Sequence, residues 1–118
     1  MHVDVRKSAD IVIVDLSGKL VAGLGDVILR EVVNELLAEG WKKILLNMSK
    51  VTTIDSSGIG ELVASLKLCG RFGAAMKLLS LHEHVRKSLH LGALLPVFEV
   101  FDHEADALRS FEAGGVTA

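Results

Sequence analysis

The sequence predicts an α/β domain, a mostly parallel sheet of about four to five strands with helices packed against it. Three observations point there. Short apolar, β-branched runs alternate along the chain with longer amphipathic runs of helical period. Half of the residues are hydrophobic and the mean hydropathy is +0.44, yet no uninterrupted apolar run approaches the roughly 18–20 residues of a membrane span. Asp15, Arg30, Glu31, Lys42 and Lys43 punctuate the apolar blocks, as buried strands covered by helices would require. The 118 residues suit one domain, residues 1–118, with an ordered core from about 3 to 112 and a tail at 113–118.

Each element has its own signal. Val3 and Val5 alternate with polar neighbours, as in a half-buried edge strand. Ser8-Ala9-Asp10 predicts a turn, and Ile11 to Leu16 a β-branched strand that Ser17-Gly18-Lys19-Leu20 continues or closes. Gly23-Leu24-Gly25 punctuates the chain, and Asp26 is the expected N-cap of a helix. In that helix Ile28, Leu29, Val32, Val33, Leu36 and Leu37 recur at helical spacing and Gly40 suits the stop. Lys43 to Met48 predicts a second buried strand, with Ser49 to Ile54 leading out of it. Ile59, Leu62, Val63, Leu66 and Cys69 mark the next helix, which Gly70 or Gly73 ends. Ala75 to Leu79 predicts a third strand, and Val85 and Leu89 a short helix from about His82 to Gly92. Val97 to Phe101, just after Pro96, predicts a last strand. Ala105, Leu108 and Phe111 predict a closing helix, with a frayed end from Glu112.

Composition narrows the function. The net charge of −2 offers no basic patch for nucleic acid, and the scarcity of aromatics argues against base stacking. A single cysteine, Cys69, permits no internal disulfide and no cysteine-based metal cluster. The first residues lack a signal-peptide plan, so a cytoplasmic location without membrane insertion is expected.

The most informative stretch is Thr53-Ile54-Asp55-Ser56-Ser57-Gly58-Ile59-Gly60. It places two hydroxyls between a strand and a helix. Free backbone N–H groups and the helix dipole favour negative charge there. With Ser56 as the N-cap or the residue before it, a phosphate on Ser56 is expected to face several unpaired donors. Gly58 and Gly60 are expected to leave the helix start open to another backbone. An ordinary capped helix with a glycine-softened first turn explains the same spacing without any function.

Leu45 to Gly60, and D-S-S-G-I-G within it, closely resembles the signature of STAS domains, the sulfate transporter and anti-sigma factor antagonist family. Leu16-Ser17-Gly18-Lys19-Leu20 is similar to the family's early L-x-G-x-L turn, and Gly73, Leu89 to Leu94 and Glu104 to Leu108 match later segments. The resemblance covers about residues 3 to 112. It implies a single STAS-like domain that is not an enzyme and needs no cofactor. Its implied role is an anti-sigma factor antagonist of bacterial sporulation or stress circuits. Such a protein binds an anti-sigma factor serine kinase of the GHKL type and so frees a sigma factor. Phosphorylation at the position of Ser56 switches it off, and a metal-dependent serine phosphatase resets it. The implied partner-binding residues are Asp55, Ser56, Ser57, Gly58, Gly60 and Val21, the last in a loop, Val21 to Gly25, that departs from the familiar pattern. The same resemblance leaves a second use open, as a STAS subunit of a lipid or anion transporter complex or a stress-signalling scaffold.

Other constellations are weaker. His82 and His84 would point about 200° apart on a helix, a poor metal arrangement, and His90 does not repair it. G-x-S-x-G and the P-loop pattern are absent. Cys69 reads as core, and Trp41 as packing at a strand entrance.

Overall fold

The computed structural model describes residues 1–116. The chain runs β1 (His2–Ser8), β2 (Ile11–Leu20), α1 (Gly25–Ala38), β3 (Lys43–Ile54), α2 (Ser56–Arg71), β4 (Ala75–Leu79), α3 (Glu83–Leu91), a 3₁₀ turn (Leu95–Val97), β5 (Val100–Phe101) and α4 (Glu104–Val116). The five strands lie in sequence order in one sheet. β1 is antiparallel to β2, and the other neighbours are parallel.

Alternation along the strands separates two cores. Val12, Val14 and Leu16 of β2, with Ile44, Leu46 and Met48 of β3, face α1, α2 and α3 through Leu29, Val33, Leu62, Val85 and Leu89. Ile11, Ile13, Leu45 and Leu79 face the other way and are covered by α4 through Ala107 and Phe111. Lys77 sits on this second face, buried, donating to Ser110 Oγ at 2.9 Å and lying 4.5 Å from the centre of the Phe111 ring. Arg6 of β1 ties the start of α4 to the sheet by pairing with both Asp15 and Glu104. Cys69 is fully buried, and burial pushes its thiol up to about 11.

Several boundaries differ from expectation. Ser17 to Leu20 continues β2. β3 runs on through Ser49 to Ile54, and this second half pairs with β2 beyond the last β3–β4 partners, Asn47 and Leu79. It is more polar because β4 ends before it, leaving one of its edges without a strand partner among the described residues. The last strand shortens to Val100–Phe101, because the chain first makes the 3₁₀ turn that includes Pro96. In α4 Ala107 and Phe111 are buried, whereas Ala105 is exposed. The helix continues to Val116 through most of the stretch expected as a tail; residues 117–118 of that tail lie outside the described residues. None of the described helices is long and apolar enough to cross a membrane.

Candidate functional site

The site forms where β2 and β3 end side by side and two helices begin. Leu20 pairs with Ile54 at the last rung of the ladder, so the residues after each strand emerge together. After Leu20 the chain turns through Val21–Leu24 into α1; after Ile54 it enters α2 at once.

Asp55, not Ser56, caps α2. Its backbone is extended, with φ −115° and ψ −176°, and its carboxylate reaches in two directions. Oδ1 accepts from the Gly58 amide at 2.9 Å, the usual N-cap bond to the third helical residue. Oδ2 accepts from the Ala22 amide at 3.0 Å, across to the neighbouring loop. A further bond, from the Asp55 amide to the Leu20 carbonyl at 3.4 Å, holds the same junction. The Ala22 amide first, then that of Gly58, holds the Asp55 carboxyl below the usual carboxylate range. One carboxylate therefore fixes both the start of α2 and the Val21–Leu24 loop beside it.

Ser56 is then the first residue of the helix, and its side chain is exposed, as is that of Ser57. Asp55 has already taken the Gly58 amide and also approaches that of Ser57. A group added to Ser56 thus meets fewer free donors than expected, and it meets the Asp55 charge at its side. An added phosphate brings roughly −1.5 to −2 charges, and the cap has used much of what would neutralise it. The arrangement presents that charge outward.

The glycines divide. Gly58 is buried, and a Cβ there would lie 2.0 Å from the Leu20 carbonyl oxygen and 2.9 Å from Ile54. Its lack of a side chain serves the packing of α2 on the end of β2, not the approach of a partner. Gly60 is exposed, and a Cβ there would meet no atom within 4 Å, so it does leave open space. Val21 is half-buried, and its carbonyl accepts from Leu24 and Asp26 within the loop.

The structure brings Asp55, Ser56, Ser57, Gly58 and the Val21 loop together as expected. Other features were not read from the sequence. Leu24 is 53% and Val27 39% exposed, two large apolar side chains on the loop and helix start that the Asp55–Ala22 bond holds beside α2. The signal was present in Gly23-Leu24-Gly25, an apolar residue in a glycine turn where no core position exists. Asp26 was expected to cap α1, but Leu24 is the N-cap and makes no side-chain bond. The Asp26 carboxylate instead accepts from the adjacent Val27 amide at 2.8 Å.

The fold and the site define a small α/β domain that presents a serine-bearing helix start. The chain belongs to the STAS domain family, whose model matches residues 2–107. It is similar to an anti-sigma F factor antagonist of Paenibacillus polymyxa, with 23% identity over 95% of this chain and 96% of the relative. A candidate anti-sigma factor antagonist of Thermotoga neapolitana is 33% identical over 69% of this chain and 72% of that one. Among solved structures, a candidate anti-sigma factor antagonist of Thermotoga maritima superposes with a TM-score of 0.84 at 28% identity, over 92% of each chain. The antagonist SpoIIAA, solved unphosphorylated, shares the fold with a TM-score of 0.79 at 19% identity, over 95% of this chain and 97% of that one. Its phosphorylated form, from Bacillus, gives 0.71 at 19% identity, over 93% and 99%.

Proposed function

We propose that this chain is an anti-sigma factor antagonist that binds an anti-sigma factor serine kinase of the GHKL type, frees a sigma factor by doing so, and is switched off by phosphorylation of Ser56. The observation that carries the reading is the exposed Ser56 at the first position of α2, next to a carboxylate already committed to capping. Relatives named as anti-sigma factor antagonists support it. So does a structural neighbour of the same name that exists in unphosphorylated and phosphorylated forms.

The partner surface consists of Asp55, Ser56, Ser57, Gly60 and the Val21 loop, with Leu24 and Val27 as its apolar anchors. Gly58 contributes from beneath by letting the helix start sit close to Leu20. Phosphorylation acts by charge, without requiring a change of fold. A partner seated over Ser56 must then desolvate a dianion beside Asp55. A penalty of about 3–4 kcal/mol weakens binding by hundreds-fold. A metal-dependent serine phosphatase restores the free hydroxyl.

Binding of the kinase by calorimetry tests the reading. Ser56→Ala is expected to keep near-normal affinity, because the side chain is exposed and its hydroxyl makes no hydrogen bond among the described residues. Ser56→Asp is expected to lose most of it. Equal affinities for the two variants would contradict the charge switch.

A further inference from the structure

β1 lies at one end of the sheet, and its outer edge has no strand partner among the described residues. The strand is 7 residues long, and its register with β2 runs from His2↔Ser17 to Ser8↔Ile11 without a shift. Edge strands are usually blunted by proline, by a bulge or by a cover. This one has neither proline nor bulge, and Asp4 to Lys7 are all exposed.

The hairpin fixes which backbone groups point outward. Ser8 and Ile11 flank a two-residue loop, Ala9-Asp10. Across so short a loop the closing pair must be the kind that exchanges both N–H···O bonds. Pairs alternate from there, so Ser8, Arg6, Asp4 and His2 bond to β2. Val3, Val5 and Lys7 turn their N–H and C=O groups to the free edge.

Few registers let this edge pair with itself about a two-fold axis. Outward residues must face outward residues, so the central choices put the axis through Asp4, Val5 or Arg6. Through Val5, every residue of β1 finds a partner, and Val3, Val5 and Lys7 of each copy both donate and accept, giving six backbone hydrogen bonds. An axis through Asp4 sets two carboxylates directly opposite, one through Arg6 sets two guanidinium groups opposite, and each shortens the overlap. The Val5 axis instead sets Asp4 opposite Arg6 of the second copy, twice. Arg6 already meets Asp15 and Glu104, so this pairing serves to select the register more than to bind. On the other face Val5, 50% exposed, is covered by its own copy, and Val3 meets the Lys7 stem.

We infer that β1 is a self-association edge: two copies of this chain pair β1 antiparallel to β1 about an axis through Val5, joining their sheets into one. The contact is narrow, so the dimer is weak, with a Kd on the order of 100 µM. β1 supplies no residue to the Ser56 site, and the inference stands or falls separately from the proposed switch.

The test is sedimentation equilibrium of the full chain from about 10 µM to about 1 mM, with amide hydrogen exchange at both concentrations. The expected result is a concentration-dependent dimer. Its formation slows exchange at Val3, Val5 and Lys7 by about fivefold and leaves Asp4 and Arg6, already bonded to β2, unchanged. Val5→Lys sets two ammonium groups opposite each other on the axis and should weaken the dimer about tenfold or more, as should Val5→Glu. An equimolar mixture of these two variants should associate more tightly than either alone, because the axis residue then meets its opposite charge. Recovery in the mixture separates loss of the contact from loss of folding. A monomer at about 1 mM, uniform protection along β1, protection centred on another surface such as Leu24 and Val27, or a mixture no tighter than its components would each overturn the inference.

Discussion

The starts of α1 and α2 lie side by side at the end of β2, and they solve the same packing problem with different chemistry. Both use a glycine where a side chain would strike the strand. A Cβ at Gly25 would lie 2.3 Å from the Lys19 carbonyl oxygen, and one at Gly58 2.0 Å from that of Leu20. There the likeness ends. α1 begins without a side-chain cap and exposes Leu24 and Val27. α2 begins with a carboxylate that binds its own helix and the neighbouring loop, and it exposes two hydroxyls. One start exposes apolar side chains and the other hydroxyls. The Asp55–Ala22 bond holds the two in register.

The comparison breaks most severely at the glycines. Gly58→Ala forces a methyl group into backbone that has no flexible end to yield, and a loss of about 3 kcal/mol is expected in chemical denaturation. Gly25→Ala should cost nearly as much. Gly60→Ala has open space and should be neutral or stabilising by up to about 1 kcal/mol. A Gly58→Ala chain as stable as Gly60→Ala would refute the close approach.

Asp55→Asn comes next. It should lower Tm and speed hydrogen exchange at the Ala22 and Gly58 amides together, since one carboxylate holds both. The pH dependence has a definite sign. A carboxyl depressed in the folded chain contributes stability in full above its unfolded value of 3.8. It loses that contribution as pH falls through the lower folded value. The gap between the parent chain and Asp55→Asn should therefore be flat from neutrality to about pH 5 and shrink in more acidic solution. Asp26→Ala should matter less, about 0.5 kcal/mol from the loss of a favourable charge in the first turn, because that side chain bonds only the adjacent Val27 amide and ties no second element to the helix. Ser56→Ala should change stability least, by less than about 0.5 kcal/mol. A larger effect would mean that the hydroxyl serves the fold and not a partner.

Much of this was legible in the sequence, and the exceptions have physical causes. β4 appears where the run Ala75–Leu79 predicts it, because covering layers on both sides leave a plain apolar signal, and α3 appears where Val85 and Leu89 predict it, because its buried stripe recurs at helical spacing. The second half of β3 is hidden because Ser49 to Ile54 pairs along one edge only and keeps polar residues among its apolar ones. Val97 to Phe101 has strand propensity, but Phe98 is buried from an irregular segment before β5, and propensity cannot see that. At the site, the sequence identifies the motif but not which residue caps it. Asp55 and Ser56 are both good caps, and the choice is made by the Ala22 amide, 33 residues away. The role of Gly58 is likewise non-local, since its neighbour is Leu20. Glu61 lies outside the apolar stripe predicted for α2, yet it is buried where Arg30 of α1 pairs with it.

The central claim is that α2 presents Ser56, and not the adjacent Ser57, as the group that is modified. The most direct measurement is mass-spectrometric mapping of the chain after incubation with a GHKL-type anti-sigma factor kinase and ATP. The account predicts one phosphate, on Ser56, and none in Ser56→Ala, while Ser57→Ala is still modified. Phosphate on Ser57 or elsewhere, or full modification of Ser56→Ala, would contradict it.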